Sequence, residues 1–262
     1  MSWLGYPDTT GLATMDYRLT DAVADPEGET ERFHTETLVR LPAGFLCYAP
    51  DPESPDLAES PQVKAGHVTF GCFNNLAKVT PRQIALWAEI LRARPDARLV
   101  LKAYGLSADS ARRDLRQQFV DQGIAPERVD LSAPEFPIAR HLAKYQAIDI
   151  GLDTFPYNGT TTTCEALWMG VPVVTLAGNS HASRTGASIL NGVGLSDFVA
   201  GTPEQYVEIA LRFADDLEAR RVLRAGMRER MRASSLMDAP RFARGLEAAY
   251  RDMWEQRLRT AS

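Results

Sequence analysis

From about residue 66 onward, short apolar runs alternate with stretches whose apolar positions recur every three or four residues. The runs at 68–73, 98–103, 129–131, 148–152 and 171–176 predict strands, with a last edge strand at 197–199. In the second of them Leu99 and Leu101 can face one side and Val100 the other. Thr80-Pro81 is an N-cap followed by proline at the first helical position, and Ile84, Trp87, Ile90 and Leu91 then repeat at helical spacing up to Pro95. Helix 107–122 carries Ala111, Leu115 and Phe119 on one stripe and stops at Gly123. Further helices are predicted at 138–145, 164–169 and 183–190, and three more, 203–215, 217–233 and 240–258, close the chain. Alternation at this spacing means right-handed βαβ units: an α/β fold with a doubly wound parallel sheet and carboxyl-terminal helices.

The first 65 residues have a different texture. Ser2 to Tyr6 is apolar and aromatic, 15–19 reads as one short strand, and 21–31 is an acidic loop or a loosely packed helix. Residues 38–48 carry apolar side chains around Pro42 and Gly44. Pro50, Pro52, Pro55 and Pro61, with acidic residues between them, read as a linker. This piece has apolar side chains to bury but too few elements for a core of its own. The expected division is therefore a piece with linker over 1–65, part of something larger, and a regular α/β domain with carboxyl-terminal helices over 66–262.

Composition narrows the options. A 262-residue chain with 45% hydrophobic and 24% charged residues is ordinary for a globular protein. A net charge of −5 leaves no basic footprint for nucleic acid. Cys47, Cys72 and Cys164 are far apart and form no C-x-x-C pair, so neither a disulfide framework nor a zinc site is suggested. No apolar run approaches the ~20 residues of a membrane span, and the start lacks a signal-peptide pattern. The expected compartment is the reducing cytoplasm.

In an open parallel sheet, ligands sit outside the carboxyl ends of the strands, which selects the loops 74–80, 104–107, 132–137, 154–162 and 177–184. No G-x-G-x-x-G follows the first strand and no Walker motif is present, which weighs against a dinucleotide site and excludes a P-loop. The loop at 154–162 carries the strongest signal. After the apolar run at 148–152, Pro156 and Asn158-Gly159 turn the chain, Thr160 to Thr163 follow, and a helix begins. Unpaired amides at a helix start, with threonine hydroxyls beside them, make an anion site; the bland alternative is that Thr162 or Thr163 is only an N-cap. Glu165, one turn further, could accept from a sugar hydroxyl. Lys78 lies between a strand end and a helix start, where an ammonium can reach a phosphate, although position alone favours a solvated lysine. Lys102 carries the same ambiguity. Asn75 suits a base or sugar edge but is also an ordinary loop residue. His141 is a packed helical histidine or an imidazole that stacks on a nucleobase. Arg184 is a second anion contact or a cap with a salt bridge. Asp149 and Asp153 are spaced to share a strand face, with Asp149 read as structural and no divalent cation expected.

Together, Phe73-Asn-Asn-Leu-Ala-Lys78, Leu152-Asp-Thr154, Asn158-Gly-Thr-Thr-Thr162, Glu165-Ala-Leu-Trp168, Gly170-Val-Pro-Val-Val-Thr175 and Ala182-Ser-Arg184 resemble the carboxyl-terminal catalytic half of O-GlcNAc transferases and SPINDLY-type relatives. The resemblance runs from about Trp3 to Trp254. It implies the second, Rossmann-like domain of a GT-B glycosyltransferase, with a UDP-sugar as donor substrate, protein Ser/Thr hydroxyls as acceptor, and neither metal nor cofactor. Position by position, Lys78 matches the lysine on the diphosphate and is the implied catalytic residue. Asn75 matches a polar position near phosphate and sugar, His141 the histidine against uracil, Thr161 and Thr162 the diphosphate hydroxyls, and Glu165 the acidic residue on the ribose. Thr160 stands where the animal enzymes have histidine. Fucosyl relatives use GDP, so sugar and nucleotide stay open between UDP-GlcNAc and GDP-fucose. In the family the opening segment is interior, which implies a missing first-domain half and tetratricopeptide array as partners in the complete enzyme. A non-catalytic UDP-sugar-binding module and another GT-B enzyme, such as a sugar-nucleotide epimerase, are the alternatives.

Overall fold

The computed structural model describes residues 1–261. In the amino-terminal part, β1 (Tyr17–Thr20) and β2 (Thr37–Arg40) pair in parallel. The chain then runs through α1 (Gln62–Ala65), β3 (Thr69–Cys72), α2 (Pro81–Ala93), β4 (Arg98–Lys102), α3 (Asp109–Asp121), β5 (Val129–Ser132), α4 (Ile138–Ala143), β6 (Ile150–Leu152) and α5 (Thr161–Trp168). It continues through β7 (Val173–Leu176), α6 (Thr185–Gly192), β8 (Val199–Ala200), α7 (Pro203–Asp215), α8 (Leu217–Arg232) and α9 (Ala239–Ala261). Six strands form one parallel sheet in the order β5-β4-β3-β6-β7-β8.

Every residue of β3, β6 and β7 is buried, as expected of strands covered on both faces. The chain builds outward from β3 in one direction, then returns to place β6 on its other side, so strand order reverses between them. There Phe70 pairs with Ile150 and Gly71 with Gly151. A Cβ on Gly71 would lie 2.2 Å from Ile148 Cδ1, so glycine is what lets the chain before β6 cross close over the sheet. Both strands then run out at the same end, Asn74 after β3 and Asp153 after β6. That end is the crevice where such sheets bind ligands.

Two features lie outside the sheet. Leu19, Leu41 and Ala43 of the amino-terminal part pack with Phe242, Ala249 and Met253 of α9, and Trp3 stacks on Phe242 at 5.8 Å between ring centroids. Part of the amino-terminal apolar surface is thus covered by the last helix, while Ala24, Phe45 and Leu46 join the main core, rather than forming a core of their own. The proline-rich segment after Tyr48 is docked rather than free. Its carbonyls are collected by arginines spaced one helical turn apart on α8: Arg224 Nε donates to Ala58 O (2.8 Å) and Arg228 donates to Pro55 O. Ser60 Oγ also donates to Asp149. Prolines leave such a segment few donors of its own but many free acceptors, which the guanidinium groups satisfy.

Candidate active-site cleft

The cleft at the strand reversal has a volume of about 460 Å³. One wall comes from the loop after β3 and the start of α5, the other from the amino-terminal segment, with His181 and Thr185 between them. The start of α5 is built on Asp153. This fully buried carboxylate accepts from Gly159 N (2.7 Å), Thr154 N (2.9 Å), Thr175 Oγ1 (2.7 Å) and Asn74 Nδ2 (2.9 Å). Burial pushes its pKa up to about 6 against the pull of those donors. Asn74 in turn accepts from Thr162 Oγ1, which locks the first turn of α5 to the end of β3.

Thr160 occupies the N-cap position of α5, and no side chain caps the helix. Thr162 and Thr163 spend their hydroxyls on Asn74 and on Gly159 O (3.1 Å), so neither is the N-cap of the bland reading. The helix therefore begins with its first amides uncapped beside the cleft that Thr160, Thr161 and Thr162 line.

Lys78 lines the same cleft, with Asn75 next to it. Its ammonium donates to Asn158 O (2.8 Å) and sits 3.6 Å from the centre of the Tyr157 ring, so it is held in place rather than waving in solvent. Burial lowers its pKa, while Asp153 works against that shift. Asn75 is exposed and caps the short turn Leu76–Lys78 by accepting from Ala77 N (3.0 Å).

His141 and Glu165 are not among the residues lining this cleft; they meet each other alongside α5. His141 Nε2 lies 3.3 Å from Glu165 Oε2, and the Tyr145 hydroxyl donates to the same oxygen (3.2 Å). Both side chains keep an exposed fraction, 20% and 15%. Beneath them Lys102 is buried, with Nζ donating to His141 O (2.8 Å) and lying 3.9 Å from the centre of the Phe73 ring. Burial pulls its pKa down to about 7. Lys102 is thus an interior prop for His141 rather than a rim lysine. Arg184 stands at the N-cap position of α6 without a salt bridge among the described residues: Nε donates to Val23 O (2.8 Å) and Nη1 to Gly178 O (3.1 Å).

Asp149 and Asp153 do not act as a pair. They stand at opposite ends of β6, a separation of ~13 Å along the strand. Asp149 accepts from Thr69 N (2.9 Å) and Ser60. Among the described residues no group of three or more His, Cys, Asp or Glu is placed to hold a metal ion. Asn74, Arg18 and His181 were missed from sequence. Asn74 and His181 find their partners 79 or more positions away, Arg18 bonds to Tyr6 across 12, and no local pattern marks any of them.

Sheet order and the crevice at the strand reversal are those of a Rossmann-like α/β unit, and its structural neighbours are GT-B glycosyltransferases. The chain belongs to glycosyl transferase family 41, which matches residues 59–246. It is 48% identical over 256 residues to the probable UDP-N-acetylglucosamine–peptide N-acetylglucosaminyltransferase SPINDLY of Oryza sativa subsp. japonica, covering 98% of this chain and 28% of the rice protein. The SEC counterpart of Arabidopsis thaliana is 28% identical, with 97% and 26% covered. A solved O-GlcNAc transferase mutant from Thermobaculum terrenum superposes with a TM-score of 0.92 at 42% identity, over 99% of this chain and 49% of that one. A sucrose-phosphate synthase from Thermosynechococcus elongatus, at 15% identity and a TM-score of 0.61, shares the fold alone. The chain spans less than a third of the plant relatives and about half of the bacterial one.

Proposed function

We propose that this chain is the donor-binding half of a glycosyltransferase that moves GlcNAc from UDP-GlcNAc to Ser or Thr hydroxyls of proteins. The observation that carries this reading is the uncapped start of α5 facing the same cleft as Lys78. When the bond from sugar to diphosphate breaks, the leaving group gains negative charge. Free amides, the positive end of the helix dipole, threonine hydroxyls and a fixed ammonium are donors already aimed at it. In this reading the diphosphate lies on Thr160, Thr161, Thr162 and Lys78, with Asn75 at its edge. Glu165 takes the ribose hydroxyls and His141 packs on the base; the fold supports this by bringing the two side chains to one partly exposed spot past the first turn of α5. No step needs a metal. Three free cysteines, two of them buried, fit the cytoplasm as its compartment.

Calorimetric titration of the chain with UDP, GDP, UDP-GlcNAc and GDP-fucose tests the proposal. UDP and UDP-GlcNAc are expected to bind more tightly than the guanosine ligands. Binding confined to GDP and GDP-fucose would reassign the donor, and binding of none of the four would reject the nucleotide site.

A further inference from the structure

One end of the cleft carries polar groups that the proposed diphosphate and nucleoside contacts leave unused. Arg18, His181 and Thr185 line it and are 1%, 3% and 2% exposed. Arg18 Nη1 donates to Tyr6 O (2.9 Å), but its Nε has no partner, and neither does the Thr185 hydroxyl. Leaving such atoms buried and unpaired is costly, so each calls for a partner.

His181 is the most organised of the three. Its Nδ1 lies 2.7 Å from Asp25 Oδ2 and 3.3 Å from Thr20 Oγ1, and Phe45 packs edge-on against its ring at 5.1 Å between centroids. Asp25 is fully buried and also meets His34 Nε2 at 3.3 Å. Burial alone would raise its pKa, but the hydrogen bonds from His181 and His34 hold it far below the usual carboxylate range. In the tautomer that donates from Nδ1 to Asp25, Nε2 of His181 is left as an acceptor. Among the described residues Nε2 has no hydrogen-bond partner.

A guanidinium donor, an imidazole acceptor and a hydroxyl lining one cleft match the alternating hydroxyl and amide groups of a sugar ring. We propose that Arg18, His181 and Thr185 hold the glycosyl ring of the nucleotide sugar, with Asp25 as the positioning residue for His181. This rests on the diphosphate lying across Lys78 and the start of α5, since the ring then extends toward the amino-terminal wall. Sugar choice would thus depend on residues drawn from both parts of the chain.

The test compares UDP with UDP-GlcNAc by calorimetry on the full chain and on two variants. Thr185→Val removes an unpartnered hydroxyl and is expected to leave thermal stability unchanged; His181→Gln breaks the contact with Asp25. Affinity for UDP-GlcNAc should fall about fivefold in Thr185→Val and about tenfold in His181→Gln, with UDP affinity within twofold of the parent. Equal losses for both ligands, or Thr185→Val binding UDP-GlcNAc like the parent, would overturn the ring assignment. A parent chain that binds neither ligand would instead overturn the proposed function on which it rests.

Discussion

Glu36 shows how a single carboxylate ties the amino-terminal segment down. It accepts from Thr9 Oγ1 (2.6 Å), Thr10 N (2.7 Å), Thr10 Oγ1 (2.5 Å) and Thr35 Oγ1 (3.2 Å). Burial pushes its pKa up, but the hydrogen bonds from Thr10 and Thr9 outweigh that and hold it at about 2. A folded pKa below the unfolded value contributes stability that is complete above the unfolded pKa, near 4.5, and is lost as pH falls toward 2. Glu36→Gln is expected to cost about 2 kcal/mol at pH 7 and to flatten the pH dependence of stability in that window, read by denaturant titration from pH 2 to 6. A parallel loss at every pH would show that the carboxylate charge is not what matters. At this scale sequence reading reached residues of the cleft lining whose place follows from a strand end or a helix start, as for Lys78, Asn75 and Thr160 to Thr162. It could not reach Asn74, which looks like its neighbour Asn75 but points inward to Asp153, 79 positions away. Nor could it reach His181, whose meaning comes from Asp25 across 156 positions.

Among the elements of the site, α5 begins three residues before its predicted start. Four β-branched threonines disfavour helix locally, so the pattern places the start at residue 164, yet the helix begins at Thr161. Side-chain bonds override propensity: Thr162 is tied to Asn74 across 88 positions and Thr163 back to Gly159 O one turn earlier. The turn before it requires glycine, because a Cβ on Gly159 would stand 2.5 Å from Thr162 Oγ1 and 2.6 Å from Asn74 Oδ1. Gly159→Ala should therefore cost about 2 kcal/mol, a Tm lower by several degrees, and weaken UDP binding because the first turn must shift. An alanine variant with the parent Tm and affinity would mean the turn is softer than this geometry implies. The strand at 37–40 escaped notice for the opposite reason: Thr37-Leu-Val-Arg40 pairs only with β1 and has no fully buried residue, so its pattern carries neither a clean alternation nor an apolar run. Strands β3, β6 and β7, buried throughout, were legible within one or two residues because burial leaves a continuous apolar signal.

For the whole molecule, the amino-terminal part and the last helix stand or fall together. Phe242, 7% exposed, is the centre of their contact. Phe242→Ala is expected to cost about 3 kcal/mol, and hydrogen exchange should show lost protection at Tyr17–Thr20 and Thr37–Arg40 with the six-stranded sheet little changed. Uniform loss across both regions would mean that the chain opens as one unit. The donor reading also spans the molecule, since the cradle joins the end of β3 to the start of α5 across the strand reversal. It is tested most directly by titrating UDP into the parent chain and into Lys78→Ala. The account predicts that the variant binds UDP at least about tenfold more weakly, at unchanged stability of the sheet. Equal affinity in the two proteins would contradict it.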